Sequence, residues 1–176
     1  MKKVIFLLFL LSTVFFIHGQ EQRNNNLNFG LTCLVAFSND TVAPGPGAAI
    51  GWYNTKLFGP VGLGTHIHTV IPLVKADFDR IKSGIATSLL LGVSYMIFDN
   101  NTIALPVTAG FHISHATGSG SGSDIWTINL GTGANFDFLW RFGRQWYAYG
   151  RIMASYNFGA NGEFLLFPGL GAGFSF

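Results

Sequence analysis

The sequence predicts an all-β protein: a closed, antiparallel, up-and-down transmembrane β-barrel of eight strands. Three observations carry this expectation. Eight stretches alternate apolar with small or polar residues at a period of two, the pattern of extended strands with two unlike faces. Charged residues make up 10% of the chain, where a soluble surface carries about 25–35%. Beyond residue 20 no apolar run approaches the roughly 18 residues of a membrane-spanning helix.

Lys2 and Lys3 precede an apolar run from Val4 to Ile17, followed by Gly19 and Gln20. That order of charge, apolar stretch and small residues reads as a cleaved secretory signal peptide over 1–20, leaving 21–176 as one barrel domain. Removing the two lysines takes the formal charge from +2 to zero, so no basic surface for nucleic acid remains. Cys33 is alone and has no disulfide partner within the chain.

The first strand, Leu27–Ser38, puts Leu27, Phe29, Leu31, Cys33, Val35 and Phe37 on one face; Asn39–Pro46 reads as a turn cluster. The second, Gly47–Tyr53, shows Ala48, Ile50 and Trp52 on its apolar face, and Asn54–Pro60 turns the chain. The third, Val61–Ile71, sets Leu63, Ile67 and Ile71 against Gly62, Gly64, His66 and His68. Pro72–Lys82 is the most charged segment. The fourth, Gly84–Phe98, opposes Leu89, Leu91, Val93 and Tyr95 to Ser88, Gly92 and Ser94, and Asp99–Asn101 is a tight turn. The fifth, Ile103–Ser114, opposes Val107, Ala109 and Phe111 to Pro106, Thr108, Gly110 and His112, before a flexible Gly-Ser linker around Ser119. The sixth, Trp126–Phe138, opposes Ile128, Leu130 and Phe136 to Asn129, Asn135 and Asp137; Leu139–Gln145 turns. The seventh, Trp146–Tyr156, opposes Ala148, Ile152 and Ala154 to Tyr147, Tyr149, Arg151 and Met153. The eighth, Glu163–Phe176, places Phe164, Leu166, Pro168, Leu170, Ala172, Phe174 and Phe176 on one parity.

Charge decides which face is outside. No strand carries a charged residue on its apolar parity, and Asp137 and Arg151, well inside strands, have the other parity. A basic residue facing lipid at mid-depth costs about 2–4 kcal/mol, so the apolar parity is expected to face hydrocarbon. Outward aromatics fall near strand ends: Trp52, Tyr95, Phe138, Trp146 and Phe174 in one belt, Phe37, Phe111, Trp126, Tyr156 and Phe164 in the other, as at the two interfaces of a membrane barrel. The alternative is a soluble lipocalin-like barrel with the apolar parity turned inward.

The uncharged last strand, with its terminal Phe and alternating apolar residues, resembles the C-terminal strand of bacterial outer-membrane β-barrels. That resemblance implies the outer membrane of a diderm bacterium, contact with outer-membrane lipid and lipopolysaccharide, and Phe174 and Phe176 as the signal read by the barrel-assembly machinery. Architecturally the chain is similar to the OmpA, OmpX and OmpW group. Its expected lining is rich in Gly (Gly30, Gly51, Gly64 and Gly173 among them) with apolar patches at Leu34, Leu90, Met153 and Phe167, which looks more like the OmpW type than like a charge-filled anchor. His112-Ile113-Ser114-His115-Ala116 with Asp124 faintly resembles the motif of the lipid A 3-O-deacylase family. His115 replaces its Asn, and the motif lies on a different hairpin.

The candidate lumen residues are His66, His68, His112, Asn135, Asp137, Tyr147, Tyr149 and Arg151. The histidines lack nearby Cys or carboxylate ligands, so neither a metal nor a cofactor is expected. Asp137 and Arg151 are expected to pair, joined by Tyr147 or Tyr149. Pro106 and Pro168, each removing a ladder hydrogen bond, are candidate lateral breaks, with a bulge as the plainer reading of each. The expected function is a non-enzymatic outer-membrane barrel forming a narrow conduit or binding cavity for small hydrophobic solutes. The alternatives are a structural or surface-interaction, adhesin-like barrel acting through the loops at Asn39–Pro46, Pro72–Ser83, His115–Asp124 and Asn157–Gly162, and a deacylase-like hydrolase.

Overall fold

The computed structural model describes residues 24–38, 41–58, 60–71, 83–119, 124–142, 145–158 and 162–176. The signal segment 1–20, the whole charged segment Pro72–Lys82 and the side chains of Phe37, Asp124 and Trp126 lie outside the described residues. Eight strands follow in order: β1 (Asn25–Ser38), β2 (Thr41–Phe58), β3 (Val61–Val70), β4 (Ser83–Asp99), β5 (Ile103–Ser119), β6 (Asp124–Arg141), β7 (Trp146–Asn157) and β8 (Glu163–Ser175). Each pairs antiparallel with the next, and β8 closes on β1.

The registers fix the barrel's shape. Stepping across paired residues from Asn25 leads through Asn54, Leu63, Val93, Ala109, Ala134, Ala154 and Leu166 back to β1 at Val35, ten residues beyond the start. For eight strands a stagger of this size tilts them by about 40° and leaves an interior just wide enough for side chains.

Several strands run further than the turn residues suggest. Asn39–Pro46 is mostly strand, since β2 starts at Thr41 and Pro44 and Pro46 pair with Val35 and Cys33. The Ile71 amide donates to the Pro46 carbonyl, so the ring nitrogen of Pro46 faces the β3 side, and alternation places that of Pro44 there too. Because β3 ends at Val70, neither proline takes a donor from the β1–β2 ladder. β2 likewise continues to Phe58 through an irregularity after Asn54. The Gly-Ser linker shrinks, because Ser119 and Asp124 are paired. Leu139–Arg141 belongs to β6: Leu139 is buried, the Arg141 amide donates to Thr102 O, and its guanidinium holds Asp99 at 2.6 Å.

Pro106 and Pro168 each interrupt one seam, β5–β6 and β1–β8, without changing its register. On the β4 side of Pro106 the register shifts between Met96 and Phe98, an irregularity of the kind expected at a strand proline. On the β1–β8 seam Asn25 and Phe176 exchange backbone bonds, so alternation makes Cys33–Pro168 a hydrogen-bonded rung. Pro168 has no N–H to give, and the rungs Cys33–Pro168 and Leu34–Phe167 are missing. On the β5–β6 seam the Arg141–Thr102 bond sets the same alternation, and the rungs at Leu105 and Pro106 are missing. Each proline keeps its pairing on the other side, Pro106 with Met96 and Pro168 with Ile152.

The exposed face of the wall is mostly apolar: Phe29, Leu31, Leu91, Val93, Phe111, Leu130, Ile152 and Leu170 all point out, with a few threonines such as Thr69 among them. Trp146, Tyr95, Phe138, Tyr156 and Phe164 are exposed near strand ends, and Trp146 stacks on Phe174, which stacks on Phe176 (centroids 5.7 and 5.4 Å). A continuous apolar band of this extent, bounded by aromatics, is a hydrocarbon-facing surface.

Candidate functional site

The inward parity brings side chains from all around the barrel onto one axis. Near the end holding both termini, Tyr53, Ala104, Leu139, Tyr147 and Tyr149 form an apolar cluster. Toward the other end Leu34, Val70, Leu90, Met153, Leu165 and Phe167 form a second.

A polar girdle lies between. Asp137 and Arg151 face each other across the β6–β7 ladder, and the guanidinium grips both carboxylate oxygens, Nε to Oδ1 and Nη2 to Oδ2, at 2.7 Å each. Such a planar two-point pair is the strongest form of this interaction. Arg151 Nη2 also donates to Asn28 Oδ1 on β1 at 2.8 Å, and Asn135 Nδ2 donates to Asp137 Oδ1 at 3.0 Å. The guanidinium sits 4.8 Å from the Tyr149 ring centroid. The expected tyrosine bridge is therefore not how the pair is made: Tyr149 stacks beneath it, and Tyr147 instead donates to the Leu27 carbonyl. Register explains this, since direct rung partners need no intermediary.

The histidines make contacts over the strand between them and their partners. His66 on β3 meets Thr108 on β5 at 3.3 Å, and His68 meets Thr32 on β1 at 3.2 Å while packing on Phe167. His112 on β5 contacts Asn157 on β7 at 3.0 Å through Nδ1, and Ser88 Oγ lies against its Nε2. Ser114 accepts from Asn157 rather than meeting His112, so the His-x-Ser pair suggested by sequence is not assembled. Among the described residues no group of three or more His, Cys, Asp or Glu is placed to hold a metal.

The room expected over the glycines is occupied. A Cβ at Gly51 would stand 2.6 Å from both Asn28 Oδ1 and His66 Nδ1 and 3.0 Å from Arg151 Nη2; one at Gly173 would stand 2.5 Å from the Tyr147 ring. Large polar and aromatic side chains lean into the floors the glycines leave open. Sequence reasoning did not single out Tyr53, Asn28 or Asn157 for the lumen, although all three are fully buried there or nearly so. Inward parity was their available signal.

Pro106 is buried beside the polar girdle, opposite Asp137 by register. Pro168 lies on the outer wall. Phe174 and Phe176 cap the terminal end.

A closed eight-stranded barrel with an apolar wall, aromatic belts and a filled polar axis defines the fold of the small bacterial outer-membrane β-barrels. Among solved structures, the chain is similar to Neisserial surface protein A (TM-score 0.70, 13% identity, covering 87% of this chain and 97% of that one). It is also similar to Ail, the attachment invasion locus protein of Yersinia pestis (TM-score 0.62, 12% identity, 86% and 97%). A third is the N-terminal β-barrel domain of Pseudomonas aeruginosa OprF (TM-score 0.51, 18% identity, 87% and 98%). No family model matches the chain, and no curated protein matches it at a significant level.

Proposed function

We propose that this protein is a side-chain-filled outer-membrane barrel that presents its loop end to partners outside the cell, rather than a pore. The observation carrying this reading is that buried side chains fill the interior. Polar ones meet over the strand between them, Arg151 with Asn28, His66 with Thr108, His112 with Asn157, and two apolar clusters drawn from strands all round the barrel lie with them. An interior filled by these contacts and by the two apolar clusters leaves the two ends and the wall as the working surfaces. The similarity to Ail, whose name refers to attachment, lends support. So do β1–β2 and β5–β6, which carry paired strand out to Ser38–Thr41 and Ser119–Asp124.

The test has two arms. Purified protein in planar bilayers should give no single-channel openings. Cells displaying it should adhere to a glycosaminoglycan- or matrix-coated surface, and replacing residues 72–82 by a Gly-Ser segment of equal length should remove that adhesion. Steady openings with unchanged adhesion would reverse the reading.

A conduit for small apolar solutes is the second reading. Its support is the Pro168 seam, where the missing rungs have Leu34 and Phe167, both in the apolar cluster, directly behind them. Catalysis is not part of either reading. Ser88, His112 and Asn157 follow the order nucleophile, base, orienter, but all three are at most 3% exposed, which supports a structural role. A fluorophosphonate should leave Ser88 unlabelled; labelling would reinstate the hydrolase.

A further inference from the structure

Across β6, β7, β8 and β1 the outer wall dips into a hollow of about 550 Å³, within the roughly 300–1,000 Å³ of small-molecule sites. Phe136, Phe138, Ile152, Leu31 and Leu170 form its sides and Gly150 belongs to its floor. Thr32 and Arg151 also border it, but their side chains are engaged inside the barrel, Thr32 with His68 and the Pro168 carbonyl, Arg151 with Asp137 and Asn28. What the hollow offers a guest is therefore apolar.

Gly150 is the informative position. At Gly51 or Gly173 a side chain would collide with the protein, but at Gly150 an added Cβ meets nothing within 4 Å. The protein's own packing does not demand a glycine there, and glycine weakens a strand. The outward neighbours Ala148, Ile152 and Ala154 all carry side chains. Gly150 lies four residues past Trp146 and six before Tyr156 on β7, between the aromatic belts. The hollow is continuous with the hydrocarbon-facing wall, out of reach of headgroups. An apolar hollow takes an apolar guest, because leaving it empty forfeits the dispersion contacts of its lining. Cys33 and Pro168, the rung without a proline donor, also line it.

We propose that this hollow binds one acyl chain of a membrane lipid, laid along the wall over Gly150 and against the β1–β8 seam. Recognition is of the chain, so lipids with different headgroups and the same chain bind alike. The site does not depend on whether the lumen conducts.

The test is native mass spectrometry of the refolded protein in octyl glucoside, titrated with myristoyl lysophosphatidylcholine and myristoyl lysophosphatidylglycerol. Both should give a saturating one-to-one adduct. Gly150→Leu should weaken it about tenfold, the equivalent of excluding roughly two methylenes. Thr69→Leu, on the exposed face of β3 across the barrel, should leave it intact, with folding of both variants confirmed by heat-modifiable gel mobility. An adduct undiminished by Gly150→Leu, equally lost in Thr69→Leu, dependent on headgroup, or growing without saturation would overturn the proposal. Should Gly150→Leu fail to fold, the wild-type thiol answers instead: alkylation of Cys33 by N-ethylmaleimide should slow and plateau as lysolipid is added, and an unchanged rate overturns the site.

Discussion

Arg151 shows most clearly what a single residue does here. Its guanidinium satisfies Asp137 at two points, reaches Asn28 across β8, and leaves Nη1 without a partner among the described residues. Arg151→Ala would strand a buried carboxylate, a loss of about 3–5 kcal/mol, expected as a lower temperature for conversion of the folded gel band and a lower urea midpoint. Replacing both partners, Arg151→Met with Asp137→Leu, should recover most of that loss, since two apolar groups leave no charge behind. Arg151→Lys should fall between, keeping the charge but not the fork. Parity in the sequence showed that Arg151 and Asp137 share a face, but not that Asn28 would join them. A period of two says which side a residue faces and nothing of its height on the axis; only the ten-residue stagger brings β1 and β7 side chains together.

For the strands, β8 illustrates both what alternation reveals and what composition hides. The alternating face from Phe164 to Phe174 was legible because every second residue is apolar, while Pro168 was legible as a defect but not as to which neighbour it spares. The direction of its ring nitrogen decides that, and it spares β7. Pro168→Ala should restore a donor for the Cys33 carbonyl and stabilise the barrel by about 0.5–1.5 kcal/mol, read as a higher urea midpoint with an unchanged slope. Strand ends were the least legible part. Asn39–Pro46 and the Gly-Ser stretch carry turn residues, yet β1–β2 and β5–β6 run into them as far as the pairs Ser38–Thr41 and Ser119–Asp124. An outermost hairpin with a free side tolerates prolines and glycines that an interior strand would not.

The whole molecule divides its labour between an apolar outside and a cross-braced inside. Eight strands, closure and the outward face were legible because charge is excluded from one parity along the middle of every strand. The state of the interior was not, since a glycine-rich lining fits an open bore or floors for Tyr147, Tyr149 and Arg151 equally well. Opening the bore should therefore take several changes at once. Arg151→Ala combined with His112→Ala and Phe167→Ala is expected to produce measurable ion conductance in planar bilayers, where Phe167→Ala alone leaves the girdle in place and the membrane silent.

The two proline-weakened seams bracket β6, β7 and β8, which otherwise keep unbroken contacts with one another. Pulled from Phe176 in a single-molecule force experiment, the chain has a preformed tear line on each flank of that three-stranded section. The first rupture should release β8 from β1 at low load, and extension should then stall at β6–β7, where Arg151 and Asp137 act as a rivet. Restoring an amide at position 168 should raise that first rupture force and leave the second where it was.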